Sequence, residues 1–386
     1  MKILLVFIDM VRLDRLNVFN KQVQPTPLDK IINRIGGTIY TKCYTPAPDT
    51  PRSLACMQSG LLPYANGCDT RIKWPRYFIK DKSKTIWSLA ASKGYKVNLC
   101  ARQHYIDTGM FSYLEHENIR TYNSFESFVQ DADFSDNSLS YVGTPDIHLA
   151  VDDMGGTNKA LRAGFSKAAK MFDKYLTDNF IEKFDYVIVF SDHGLQLESE
   201  RRKQQSKLDL LGDGRTRLLM FLHKKGDVDV KKDDRLASMV DLFATVSDII
   251  NVGAINDGYS FLETPKRSIT HIEDHTDFSV KPEVMIKQWR VISDEFDART
   301  NVYNTEGISR KEDIITMENY LTAKSPCYST YVKQLKIWRL YDQLKNQDQE
   351  TYFVGDKRVG KVEKIVGKSI RRSIGFVYKK LKLGLR

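Results

Sequence analysis

Two short, wholly apolar runs that end in acids constrain this chain more than any other feature. Ile3-Leu4-Leu5-Val6-Phe7-Ile8 is followed by Asp9, and Tyr186-Val187-Ile188-Val189-Phe190 by Ser191-Asp192-His193-Gly194. Runs this short, with no polar alternation, fit strands covered on both faces, which belong to parallel sheets sheathed in helices. Ligands of an open parallel sheet gather at the carboxyl ends of its strands. One acid after a strand simply opens a turn; two of them, each closing a central strand, are a first functional hint.

The remaining pattern agrees with an α/β chain. Thr85 to Lys93 reads as a helix stopped by Gly94, and Lys96 to Cys100 as the next strand. Thr157 to about residue 179 has the spacing of a long helix, Leu218–Leu222 reads as a third strand, and Arg235 to Ile250 as an amphipathic helix with Gly253 beyond it. From about residue 265 the pattern changes to short strands, Ser268–Ile272 and Trp289–Ile292, followed by a helix over about 330–346. The expected architecture is a mainly parallel central sheet flanked by helices over residues 1–264. A smaller C-terminal subdomain follows over 265–350, then a basic amphipathic tail over 351–386. No internal repeat is present. Five cysteines (Cys43, Cys56, Cys68, Cys100 and Cys327) have no CxxC spacing, which reads as reduced thiols and excludes a zinc ribbon and a disulfide scaffold.

The net charge of +10 is local. Lys357 to Arg386 carries eleven Lys/Arg against one acid, Glu363, so the rest of the chain is neutral. Within it Val362, Val366, Ile370, Ile374, Val377, Leu381 and Leu385 recur at three- and four-residue intervals, with Lys and Arg between. That is a basic amphipathic helix suited to an anionic membrane surface. A helix packed on its own body is the plain alternative. Nucleic acid is the rival anion, but residues 357–386 have only two aromatics, Phe376 and Tyr378, and no nucleic-acid motif accompanies them. The six-residue apolar run at the N-terminus is too short for a signal peptide, and no run approaches a transmembrane length. The expectation is a cytoplasmic protein, peripheral on the inner face of the membrane.

Thr50-Pro51 reads as a helix N-cap with proline at the first helical position. A hydroxyl there sits at the positive end of a helix, where anions are favoured. Beside a metal it can lose its proton and attack phosphorus or sulfur. Alone, the segment is an ordinary cap.

It has company, in order along the chain: Asp9, the Thr50 segment, Gly60-Leu61-Leu62-Pro63 with Asn66-Gly67, Asp192-His193-Gly194, Asp241-Leu242-Phe243, and Asp257-Gly258-Tyr259-Ser260-Phe261-Leu262. Over residues 3–300 this series resembles the sulfatase-like branch of the alkaline phosphatase superfamily. Formylglycine sulfatases carry Cys/Ser-x-Pro-Ser-Arg at the nucleophile, where this chain has Thr50-Pro51-Arg52-Ser53. Thr50, Ser53, Cys56 and Met57 resemble the pattern of phosphoethanolamine transferases, whose nucleophile is threonine. Sulfatases also follow the first acid with a second; here Met10 follows Asp9.

The resemblance implies a metal site of Asp9, Thr50, Asp192 and His193, with zinc or manganese favoured over calcium by an oxygen and imidazole donor set. Asp49 is a competing nucleophile. Arg102 and His104, eight and ten residues after Gly94, resemble the sulfatase Gly-Lys-Trp-His segment and would hold the anion and donate a proton. Asp152-Asp153-Met154-Gly155-Gly156-Thr157 resembles the second-metal motif Asp-x-x-Gly-His-Thr, with Gly156 where the histidine belongs. A second metal would lean on Asp152 with His148, His271 or His275, and a single site is the favoured reading. Arg52, His148 and Arg217 complete the expected substrate-binding set. The implied activity is hydrolysis or transfer of a phosphate or sulfate ester through a covalent Thr50 intermediate. The acceptor is open, and a lipid-linked glycan of bacterial surface-polysaccharide assembly is one setting. The alternatives are a non-catalytic binding module and a soluble phosphodiesterase acting on nucleic acid.

Overall fold

Both apolar runs form the central strands of one sheet. The computed structural model describes residues 1–68, 79–101, 110–134, 137–203, 211–263, 267–275, 287–293 and 297–301. The large sheet is built from β1 (Lys2–Ile8), β2 (Gly37–Tyr44), β3 (Lys96–Cys100), β4 (Ile119–Tyr122), β5 (Ser138–Thr144), β6 (Tyr186–Phe190), β7 (Met220–Lys224) and β8 (Val230–Ser238), in the order β4-β3-β5-β1-β6-β7-β2-β8. β1 pairs in parallel with β5 and β6, β3 with β4 and β5, and β2 with β8. β7 runs antiparallel to both its neighbours and is the reversed strand of the sheet. This is the α/β architecture the sequence predicts.

The helices that sheathe it are α1 (Pro27–Ile35), α2 (Thr50–Ser59), α3 (Ile86–Ser92), α4 (Phe125–Asp131), α5 (Asp146–Met154), α6 (Asn158–Tyr175) and α7 (Val240–Ile249), with single turns between some of them. β1 shows why an unbroken apolar run was needed. Ile3, Leu5 and Phe7 enter a core with residues of α2, α3 and α7, while Leu4, Val6 and Ile8 enter another with residues of α1, α5 and α6. Successive side chains of a strand point to opposite faces, so a strand between two helical layers must be apolar at every position.

Several boundaries differ from the sequence reading. The long helix ends at Tyr175, and a separate turn at Asp178–Ile181 follows it. The third strand is Met220–Lys224, two residues later than expected. Arg235–Ser238, expected to open a helix, is the end of β8, and the helix begins at Val240. Helical periodicity there was overridden by pairing: Leu236, Ala237 and Ser238 stand opposite Lys42, Cys43 and Tyr44 of β2. The Ser238 N–H then donates to the Asp241 carboxylate at 2.8 Å, which turns the chain into α7.

A second, three-stranded antiparallel sheet has the order β11-β10-β9, from β9 (Ile269–His275), β10 (Lys287–Ser293) and β11 (Asp297–Asn301). It meets the large sheet through Ile272 and Ile292, which pack with Tyr44, Leu211 and Leu236. Among the described residues no helix is long and apolar enough to cross a membrane. The expected helix near 330–346 and the basic tail lie outside the described residues.

Candidate active site

The carboxyl ends of β1 and β6, side by side at the centre of the sheet, bring Asp9 and Asp192 together. The Asp9 N–H extends the β1–β5 ladder by donating to Thr144 O at 3.0 Å. Met10 then takes a left-handed conformation, φ 64°, and its N–H donates to Asp192 Oδ1 at 3.1 Å. A non-glycine residue there costs about 1–3 kcal/mol, and the strain falls at the residue that ties one acid to the other. The His193 N–H donates to the same oxygen at 2.8 Å. Asp192 Oδ2 is buried and takes no well-formed hydrogen bond; His193 Nε2 lies 3.3 Å from it. Burial, and then the charge of Asp9, push the Asp192 carboxyl up to about 6, against the pull of His193 and Thr50.

The turn that carries Thr50 comes from α2. Its N-cap is Asp49, not Thr50: the Asp49 side chain accepts from the Arg52 N–H, so Thr50 is the first helical residue and Pro51 the second. The cap lies one residue before the Thr50 that the sequence predicts, because Thr and Asp are both good caps and only the backbone decides between them. The Asp49 carboxylate is committed to this cap and to the Arg52 guanidinium, whereas the Thr50 hydroxyl lies 3.4 Å from His193 Nε2. Ser53, one turn on, donates to Asp192 O at 2.9 Å and fastens α2 to the end of β6.

The His193 tautomer follows from its surroundings. Nδ1 lies 2.7 Å from Gly194 O, so Nδ1 carries the proton and Nε2 keeps its lone pair toward Thr50 and Asp192. Gly194 is required by a close approach: a Cβ there would stand 2.2 Å from Gly214 O. One ligand atom from each of Asp9, Asp192 and His193 lies within 4.8 Å of the other two, and all three residues are buried. Two buried carboxylates, an oxygen with no well-formed hydrogen bond and an imidazole lone pair form a donor set that a divalent cation fits.

The other expected site residues are spread more widely. His148 on α5 has Nδ1 3.3 Å from Asp9 Oδ2 and Nε2 3.6 Å from Asp152 Oδ1. The hydrogen bond to Asp9 raises it to about 9 against the opposing effect of burial. Asp152 itself is 61% exposed and, among the described residues, stands outside the three-residue cluster, beside His148. Gly156 occupies its place by packing: its carbonyl accepts from the Glu198 N–H at 2.9 Å, and Leu195 lies against it. His271 is buried in β9, 3.7 Å from Glu273, and is not part of the cluster. Arg52 is fully buried: its Nε donates to Asp49 at 2.5 Å and its Nη2 to Asp274 at 2.7 Å. Arg217 donates to Thr41 O of β2 at 2.6 Å and stacks over Phe19. Arg102, His104 and the side chain of His275 lie outside the described residues.

Two residues that matter here carried little signal. Asp274, fully buried on β9, accepts from Arg52 and from Arg215 Nη1 at 2.8 Å. An acid 222 residues from its partner leaves no spacing to read. Met10 looks like an ordinary apolar residue, and only its backbone reveals its part.

The Gly60–Pro63 and Asp257–Leu262 segments meet at the far end of α2. The Asp257 N–H donates to Gly60 O at 2.8 Å, and Asp257 accepts from the Leu62 N–H at 3.2 Å. Asp241 accepts from the Tyr259 N–H at 2.8 Å and from the Arg267 guanidinium.

No family profile matches the chain, and no curated protein does. Solved structures do. BT1596, a 2-O GAG sulfatase, aligns with a TM-score of 0.61 at 13% identity over 92% of this chain and 95% of its own. The phosphonate monoester hydrolase of Agrobacterium radiobacter aligns with a TM-score of 0.55 at 11% identity over 88% and 96%. A protein in the alkaline phosphatase superfamily from Vibrio parahaemolyticus aligns with a TM-score of 0.53 at 15% identity over 88% and 87%. At these identities the likeness is one of fold, and the chain has the fold of the sulfatases and of the alkaline phosphatase superfamily.

Proposed function

We propose that this protein is a metal-dependent enzyme that cleaves phosphate or sulfate esters with Thr50 as nucleophile. The observation that carries the reading is the buried Asp9–Asp192–His193 cluster with the Thr50 hydroxyl 3.4 Å from His193 Nε2. Asp9, Asp192 and His193, with the Thr50 oxygen, would hold a divalent ion, zinc or manganese by donor type. Bound there, the ion would lower the pKa of the hydroxyl and draw charge from the ester. Asp49 and Ser53 keep Thr50 in the first turn of α2 and against the end of β6. Thr50 Oγ1 attacks phosphorus or sulfur, the ester oxygen leaves with its alcohol, and the group then passes from Thr50 to water or to a second hydroxyl. Arg102, His104 and His148 are the groups assigned to hold the anion and supply the leaving-group proton. The named neighbours include a sulfatase and a phosphonate monoester hydrolase, so both ester classes belong in the test.

The setting proposed for this chemistry is the cytoplasmic face of a membrane, with a lipid-linked glycan as substrate or acceptor. It rests on the basic amphipathic pattern of residues 357–386. Removing those residues is expected to release the protein from anionic vesicles and leave turnover of small esters intact; unchanged vesicle binding would overturn this part.

The test of the chemistry pairs metal analysis with turnover of p-nitrophenyl phosphate, bis-p-nitrophenyl phosphate and p-nitrophenyl sulfate. Thr50→Ala is expected to keep the metal cluster's carboxylates and lose on the order of 10³-fold or more in kcat. Turnover surviving in Thr50→Ala would reject the nucleophile. A protein that binds no metal and cleaves none of the esters would be the binding module instead.

A further inference from the structure

We infer that Asp274, on β9 of the second sheet, is a positioning residue for the nucleophile turn. The inference rests on the ester-cleaving reading of Thr50 and adds a part of the chain that no site motif reaches. Asp274 Oδ1 accepts from Arg52 Nη2 at 2.7 Å and Oδ2 from Arg215 Nη1 at 2.8 Å, so one buried carboxylate holds two guanidinium groups. Each arginine then grips a different residue just before Thr50. Arg52 donates to Asp49, the residue before Thr50 and the cap of its helix. Arg215 donates to Pro48 O at 3.2 Å, and its own carbonyl accepts from the Gly194 N–H at 2.9 Å, next to His193. A third tie runs from the same strand, where the Glu273 N–H donates to Pro46 O at 2.8 Å.

The second sheet therefore fixes residues 46–52 and the loop after His193 from one point. The distance that depends on this is the one between the Thr50 hydroxyl and His193 Nε2. Buried arginine–carboxylate contacts are short, directional and costly to leave half-made, which suits them to hold a turn in one place. Displacing a nucleophile by about 1 Å can cost on the order of 10²-fold in rate.

The test uses the full chain with Asp274→Asn and, because neutralising a buried acid can prevent folding, Arg215→Gln as a gentler second variant. Two readouts are taken on each: amide hydrogen exchange of residues 46–54, and kcat and KM on the small ester the wild type turns over best. The expected result is faster exchange in that segment with the rest of the chain unchanged, a fall in kcat of about tenfold or more, and KM and metal content within about twofold. Unchanged exchange in a folded variant would overturn the inference. So would faster exchange with kcat unchanged, or a loss confined to KM. A wild type that cleaves no ester would sink the ester-cleaving reading, and the exchange readout would still uphold or overturn Asp274 as the anchor of the turn.

Discussion

Two groups of buried carboxylates sit on the same polypeptide and are treated in opposite ways. Asp241, at the start of α7, is engaged by the Arg267 guanidinium and by the N–H groups of Ser238 and Tyr259. Asp9 and Asp192 face each other at the strand ends, with a histidine beside each, His148 at Asp9 and His193 at Asp192. Arginine is always charged and answers a carboxylate permanently, so Asp241 belongs to the architecture. Histidine is a variable cation and a metal ligand, so the Asp9–Asp192 pair keeps room for a cation from outside the chain. Both groups are equally buried; the partner type separates scaffold from site.

The comparison is broken most directly at the scaffold group. Asp241→Asn leaves Arg267 buried beside a neutral side chain and is expected to cost about 3–5 kcal/mol of stability, read by urea denaturation, with the affinity for metal unchanged. A loss near zero would show that Asp241 is not held as described. The site group should respond in reverse. Saturating the wild type with metal at about 100 times its Kd is expected to raise stability by about 2.7 kcal/mol, and Asp9→Asn is expected to abolish that gain without weakening the chelated protein. Should chelation leave the melting temperature where it was, the metal site would be refuted.

A smaller effect sharpens the boundary between the groups. In Gly194→Ala a Cβ would press on Gly214 O, and overpacking of this kind costs about 1–3 kcal/mol. Because the strain falls next to His193, turnover should drop along with stability; a stable variant with full activity would show that the loop has slack. The smallest effect is a control distant from both groups. Thr26→Ala removes the capping box of α1, in which Thr26 and Asp29 bond to each other's backbone N–H, and should cost about 1 kcal/mol with metal binding and turnover untouched.

How much of this could be read beforehand depends on range. The strands β3 and β6 were legible to the residue, β6 as an unbroken apolar run between helical layers and β3 as a short strand after the helix stop at Gly94. Asp9 and Asp192 could be noticed because each closes a legible strand, whereas grouping them with Thr50 and His193 came from the family resemblance and not from the elements themselves. Shorter-range choices failed by one or two residues: the cap of α2 fell on Asp49, and Arg235–Ser238 joined β8 because pairing with β2 outweighed its helical spacing. The sequence assigns Arg52 and Arg217 to substrate binding without showing their partners in the fold. In the fold Arg52 is buried between Asp49 and Asp274, and Arg217 is bound to Thr41 and Phe19. Charge is visible in a sequence, but its partner is not.

The sequence by itself determined the layered α/β sheet, its central strands and the order of the acidic strand ends, since these follow from apolar patterning over neighbouring residues. Tertiary structure alone decided which carboxylates are answered and by what. It set Asp192 against Asp9 through the strained backbone of Met10, moved Asp152 out behind His148, and brought Asp274 from the second sheet to hold the turn around Thr50. The reason is physical. Burial of apolar surface is a local and additive preference that periodicity records, whereas the state of a buried charge depends on the few atoms around it, and those come from positions far apart along the chain.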